Sequence, residues 1–197
     1  MSSPLKAYKR ANGAWGLRNQ VLILPMHSAL SSTARAIADN SDGAVAISHD
    51  WSGEKDNDLA RILFTLSGYA SNPNIFATVF LSIGNPEEEQ IIKGAQALGL
   101  TRFTNLLLPE FGSMEKLQQQ ALTIANGYVK EASAEARVDA PWSAIVLGLE
   151  CGGSDATSGL AGNPVVGAFY DRLVDAGGTA IFEETVEMLG LRSIMLA

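Results

Sequence analysis

Two runs constrain this chain more than anything else: "VLILPMH" at 21–27 and "IFATVFLSI" at 75–83. Successive side chains of a strand point to opposite faces, so a run that is apolar at nearly every position needs cover on both sides. Such strands belong inside a parallel sheet with helices packed on each face. "GAVAISHD" (43–50), "RFTNLLLPE" (102–110), "SAIVLGLE" (143–150) and "TAIFEE" (179–184) also read as strands. Helical stretches separate them. Ser31 or Ser32 is expected to cap a short helix that Asn40 closes, and Leu59, Ile62, Leu63 and Leu66 recur at helical spacing until Asn72 and Pro73 break the pattern. Pro86 and the glutamates beside it open a third helix, a long one runs from about Ser113 to Ala134, and Pro164 to Gly177 reads as the last, with Gly177 as its C′ residue. This alternation predicts an α/β fold: three layers, a mainly parallel sheet with helices on both faces, Rossmann-like but without the G-x-G-x-x-G dinucleotide fingerprint. Residues 1–20 read as a polar leading segment and 21–197 as one α/β domain.

Charge and cysteine usage narrow the function classes. The formal net charge is −7 and no Lys/Arg cluster stands beyond "KAYKR", so nucleic acid is not expected as a partner. An anionic substrate has to be received by local groups such as Arg10, Arg18, Lys55 or helix N-termini. No apolar run approaches the roughly 20 residues that span a bilayer, and "MSSPLKAYKR" lacks the apolar middle of a secretory signal. A cytoplasmic protein is expected, with no membrane partner. The single cysteine, Cys151, excludes an internal disulfide.

In open parallel sheets, ligands bind outside the carboxyl ends of the strands. Those ends carry His27, His49 with Asp50, Asn85, Glu110, Glu150 with Cys151, and Glu183 with Glu184. The stretch "LGLECGGSDATSGLAGNPVVG" (147–167) is the richest of them. If Asn163 is an N-cap and Pro164 opens the helix, about a dozen residues separate strand from helix, against the two to six of an ordinary βα turn. Three chemistries compete for that loop. It lacks the spacing of a phosphate-binding loop. Cys151 is a candidate nucleophile only if His27 or His49 approaches it through the fold. Glu150 and Asp155 supply carboxylates for acid/base work, while Cys151, His27 and His49 supply candidate metal ligands. Each residue also has a plainer reading: Cys151 as a small buried hydrophobe, the histidines as partners of nearby carbonyls, and "PEEEQ" as a solvated helix start. Glu150 resists the plain reading, because burial at the end of an apolar strand would be costly for an unpaired carboxylate.

The segment "LECGGSDATSGLAGNPVVGAFYDRLVDAGGTAIFEETVEMLG" resembles the signature of the altronate and galactarate dehydratase family, which includes the large subunit of sulfolactate sulfo-lyase. "NGAWGLRNQVLILP", "SHD" and "LSGYASNPN" resemble further family segments in the same order. The resemblance implies a lyase that removes water, or sulfite in one branch, from a 2-hydroxy acid with the help of a divalent metal, commonly iron. It implies a small anionic sugar-acid substrate. Under it the candidate catalytic residues are Glu150, Asp155 and His49; the candidate substrate contacts are Arg18, Asn19, Ser154 and Asn163; the candidate metal ligands are His27, His49 and Cys151. The family pattern carries further cysteines where this chain reads "MHSALSS", "HDWSGEK" and "IGNPEEE". Family enzymes also carry additional domains or a partner subunit, so one such element is expected to complete the site. The alternative reading is a non-catalytic ligand-binding or assembly subunit.

Overall fold

A computed structural model describes residues 5–55, 57–150, 152–153, 155–183 and 188–196. The chain divides into two compact units, one of residues 6–138 and one of residues 1–5 with 139–197.

The larger unit is built as its apolar runs demand. It begins with β1 (Leu5–Lys9) and β2 (Trp15–Gly16), an antiparallel pair with Tyr8 opposite Gly16. The described part of the leading segment thus holds two strands, and Ala7 is fully buried. Then follow β3 (Gln20–Pro25), α1 (Ser31–Asp39), β4 (Ala44–Ala46), α2 (Leu59–Ala70), β5 (Ile75–Ser82), α3 (Pro86–Ala97), β6 (Phe103–Leu107), a short α4 (Leu108–Phe111) and α5 (Met114–Ala134). Four of these strands form a parallel sheet in the order β4-β3-β5-β6. Alternation along β3 and β5 feeds two separate clusters. Val21, Ile23, Val79 and Leu81 pack with Leu30, with Ala34 and Ile37 of α1, and with Leu117, Ala121 and Ala125 of α5. Leu22, Leu24 and Phe80 pack with Leu66 and Ala70 of α2 and with Ile91 and Ala95 of α3. Each central strand is thus covered on both faces, which is why its sequence carries no polar face.

The smaller unit contains β8 (Val146–Leu149), α6 (Asn163–Asp175), β9 (Thr179–Phe182) and a short α7 (Arg192–Met195); β7 (Val138–Ala140) spans the division between the units. Strands β8 and β9 form a parallel pair of their own, Val146 opposite Thr179 and Leu149 opposite Phe182. Residues 21–197, read as one domain, are shared between these two compact units. Period and polarity reveal that a strand is buried and parallel but not which sheet receives it. The end of α6 follows expectation: Gly177 has φ +87°, with Gly177 N donating to Val174 O at 2.8 Å and Gly178 N to Leu173 O at 2.9 Å.

Among the described residues, no helix is long and apolar enough to cross a membrane.

Candidate functional site

In the four-stranded sheet, β4 lies on one side of β3 while β5 and β6 lie on the other. Strand order reverses between β3 and β5, and the crevice beyond their carboxyl ends is where such a sheet offers a ligand site. Three segments meet there: 26–31 after β3, 47–55 after β4, and 82–88 after β5.

Backbone and ring contacts lock the first two segments together. Ser28 N donates to Trp51 O at 2.8 Å, and Ser31 Oγ donates to His49 O at 3.3 Å. His49 Nε2 lies 2.7 Å from Pro25 O, and because a carbonyl only accepts, Nε2 carries the proton. His49 Nδ1 is buried without a hydrogen-bond partner. His27 caps the 3-10 turn Ser28–Leu30 that precedes α1, its Nδ1 accepting from Ala29 N at 3.1 Å. Helix α1 itself starts from Leu30 without the side-chain cap expected of Ser31 or Ser32, and Asn40 closes it as expected. The two histidines predicted as partners stand at the same end of the same sheet.

The third segment is held by a carboxylate that sequence reasoning passed over. Glu88 is 2% exposed, and it accepts from Ser82 Oγ, from Gly84 N at 2.9 Å, from Asn85 N at 3.1 Å and from Ile83 N at 3.2 Å. Glu87 is also buried and pairs with Lys55 Nζ at 2.6 Å; that ammonium holds its carboxyl below the usual range. Of the three glutamates read as a solvated helix start, only Glu89 is exposed. Asn85 followed by Pro86 and Glu88 is a capping-box spacing, the one sequence signal for this arrangement. Gly53, at φ +93°, brings the 47–55 segment against Asn85: a Cβ there would lie 2.8 Å from Asn85 Nδ2. Glu54 receives the Ser52 hydroxyl and the Ser52 N–H, which hold its carboxyl below the usual range, with a smaller contribution from His27. Beside His49 and Trp51 lies a cavity of about 540 Å³, lined also by Arg61, Thr65 and Tyr69.

Other predicted site residues take different places. Arg18 and Asn19 precede β3, a strand of six residues, so roughly 20 Å of strand separates them from His27. Asn19 Nδ2 donates to Ala132 O at 2.8 Å, fastening the end of α5. Within this unit the two groups do not meet. In the smaller unit, Glu150 is exposed, so the burial that argued for a special role is absent. Asp155 Oδ1 accepts from Thr157 N at 2.7 Å, Thr157 Oγ1 at 2.6 Å and Ser158 N at 3.1 Å. It is a helix N-cap, and these bonds, that of the Thr157 hydroxyl first, hold its carboxyl below the usual range. Asn163 is not an N-cap: it has helical φ −63° and ψ −43° and follows a π turn, Ser158–Gly162. The helical path begins at residue 156, so six residues rather than the dozen expected from Asn163 separate it from β8. Pro164 accounts for the π turn, since its ring crowds the carbonyl four residues back. Cys151, Ser154 and Glu184 lie outside the described residues.

Among the described residues, no group of three or more His, Cys, Asp or Glu side chains converges to hold a metal ion. His27 has one ring nitrogen engaged in a cap and His49 has one engaged by Pro25 O. The described donors do not by themselves form a metal centre.

The fold is that of an α/β protein whose candidate site is a crevice assembled from three strand-end loops. Two family models match the chain: "D-galactarate dehydratase/Altronate hydrolase, second domain" over residues 7–133 and "D-galactarate/Altronate dehydratase, C-terminal" over residues 142–197. The chain belongs to the D-galactarate/altronate dehydratase family. It is 32% identical to the (2R)-sulfolactate sulfo-lyase subunit beta of Chromohalobacter salexigens, over 96% of this chain and 49% of that protein. It is 29% identical to the altronate dehydratase of Escherichia coli strain K12 (98% of this chain, 41% of that protein) and 25% identical to that of Bacillus subtilis strain 168 (97% and 40%). The chain thus spans half or less of the length of these relatives.

Proposed function

We propose that this chain is part of a sugar-acid lyase, one that dehydrates an altronate- or galactarate-like 2-hydroxy acid to a 2-keto-3-deoxy acid. The observation that carries the reading is the match of both family models, in order, along the chain. The same reading takes the four-stranded unit as Rossmann-like and expects a further domain or partner subunit to complete the protein.

The reaction needs a base to take the proton beside the carboxylate, an electrophile to hold the resulting enediolate, and an acid to protonate the departing hydroxyl. Loss of water leaves an enol, which tautomerises to the ketone. Among the described residues, His49 is the one best suited to the base: its Nε2 is anchored on Pro25 O and its Nδ1 has no hydrogen-bond partner. Asp155 is poorly suited, since its cap bonds stabilise the carboxylate and weaken it as a base. A divalent metal, iron in this proposal, would supply a Lewis acid. The described residues do not bring together a complete ligand set for it.

The test is an anaerobic assay of the complete subunit set, with and without added iron(II), against aldonates, aldarates and sulfolactate. Turnover is expected, and His49→Ala should lower kcat by about 10²- to 10⁴-fold. No turnover with any of these acids would sink the enzymatic reading. The second reading, a ligand-binding or assembly subunit, is favoured by Asp155 serving as a helix cap. Stabilisation by a sugar acid that is indifferent to metal would select it.

A further inference from the structure

A second cavity lies at the opposite end of the four-stranded sheet. It measures about 330 Å³ and opens where the turn after β1, the corner between α2 and β5, the corner between α3 and β6 and the end of α5 come together. Ile75 and Phe76 at the start of β5 line it, whereas the crevice holding His27 and His49 lies beyond the other end of that strand. Roughly 25 Å of strand separates the two. Among the described residues, the charged side chains lining the cavity are Lys9, Arg10 and Arg102 against one carboxylate, Glu135. In a chain of net charge −7, this is a local surplus of the opposite sign.

Both guanidiniums are fixed by contacts other than that carboxylate. The Arg10 side chain is only 14% exposed; its Nε donates to Pro73 O at 2.7 Å and its Nη2 to Arg18 O at 3.2 Å. Arg102 lies over the Phe76 ring, 4.4 Å from the centroid, with half of its side chain exposed. The rim is fixed too, since Asn12 Nδ2 donates to Leu98 O at 3.3 Å and packs against Gly99, at φ +106°, where a Cβ would collide with it. Glu135 does not saturate the pair. Its Oε1 stands 3.3 Å from Arg102 Nη1 and its Oε2 3.7 Å from Arg10 Nη1, whereas a closed charge-assisted bond measures about 2.7–2.9 Å. Burial pushes the Arg10 pKa down; Glu135 opposes that shift and the like charge of Arg102 reinforces it. One carboxylate shared loosely by two guanidiniums leaves positive charge uncompensated where burial makes it costly.

We infer that this cavity is a binding site for a small doubly charged oxyanion, a phosphoryl group or a dicarboxylate, received by the guanidinium forks of Arg10 and Arg102. Planar forks present paired N–H groups in the geometry that such oxygens accept, and the volume suits a small metabolite. Glu135 competes with the anion for the same forks. An occupant would tie the turn after β1 to the starts of β5 and β6 and so stabilise the larger unit. At this distance it touches nothing held in the crevice, so the inference is independent of the lyase reading.

The test titrates the 197-residue chain with inorganic phosphate and, separately, with succinate at constant ionic strength, by calorimetry and by amide chemical shifts. Saturable binding of at least one anion with a Kd at or below about 1 mM is expected, with shifts at residues 9–12, 71–76 and 99–102. Binding of phosphate alone assigns a phosphoryl group, of succinate alone a dicarboxylate, and of both the oxyanion chemistry they share. Arg102→Ala, at a half-exposed side chain, should weaken binding about tenfold or more while leaving the far-UV spectrum unchanged. Glu135→Gln should tighten binding several-fold, because it removes the competitor; a purely structural clamp gives no such gain. No saturable binding of either anion, an affinity indifferent to Arg102→Ala, or one not raised by Glu135→Gln would overturn the inference. So would shifts confined to the crevice segments 26–31, 47–55 and 82–88.

Discussion

At the scale of single residues, carboxylates decide most of what can be tested. Glu88 gathers four donors at the end of β5, so Glu88→Ala takes the acceptor from the Ile83 and Asn85 N–H groups and the Ser82 hydroxyl and leaves Gly84 N only its bond to Ser82 Oγ. A loss of about 3 kcal/mol is expected, read from urea denaturation, with Glu88→Gln losing less because one acceptor oxygen remains. Asp155 behaves differently, because it is exposed and its bonds are local. Its folded pKa is depressed, so its contribution to the start of the helix is fully present above its ordinary value of about 4 and is lost as pH falls through the lower folded value. Asp155→Ala should abolish that acid-dependent step and speed exchange of the Thr157 and Ser158 amides at neutral pH, as hydrogen exchange followed by NMR would show. Only part of this was legible in sequence. The Asn85–Glu88 spacing announces a capping box, but nothing in "PEEEQ" says which glutamates are buried, since burial is set by what the rest of the chain lays over them.

At the scale of elements, the reading of strands and helices carried furthest where one local rule dominates. Continuous apolar runs became β3 and β5, and Gly177 ended α6. Local rules failed where two of them competed at one site. Ser31 offers a helix cap, but a 3-10 turn capped by His27 runs straight into α1, which starts from Leu30 with no side-chain cap. Asn163 with Pro164 looks like a helix start, yet Asp155 had already begun the helix eight residues earlier, and the π turn absorbs the proline. The central strands should be the least tolerant elements. Phe80 of β5 is fully buried and meets Phe103 edge-on, ring centroids 5.9 Å apart. Phe80→Ala is expected to cost about 3–5 kcal/mol, measured by denaturant unfolding. The ribbon of β1 and β2 is tied more lightly. Arg10 Nε donates to Pro73 O at 2.7 Å and its guanidinium faces Glu135 at 3.7 Å; burial pushes the Arg10 pKa down and Glu135 partly offsets this. Arg10→Ala should cost about 1–2 kcal/mol and free the ribbon before the sheet, a sequence of events that hydrogen exchange at Ala7 and Tyr8 would resolve.

For the whole molecule, the division into two units makes its own prediction. Every residue of the three hydrophobic clusters lies between Val21 and Ala132. Residues 6–138 expressed alone should therefore fold cooperatively and show one sharp thermal transition by circular dichroism. Residues 139–197 alone should bind ANS and show none, because a two-stranded sheet covered by α6 offers too small a core to be independently stable. The sequence by itself determined the strands and helices, the parallel α/β class, the placing of His27 and His49 at strand ends, and the family. Each of these depends on periodicity or on a contiguous motif, and both are local properties of a chain. Only the tertiary structure decided that β8 and β9 form a sheet of their own, that Arg18 and Asn19 stand at the far end of β3 from the histidines, that Glu88 is buried and Glu150 is not, and that Asp155 is a cap. Those outcomes depend on which distant segments exclude water from a given side chain, and that is a property of the packed chain.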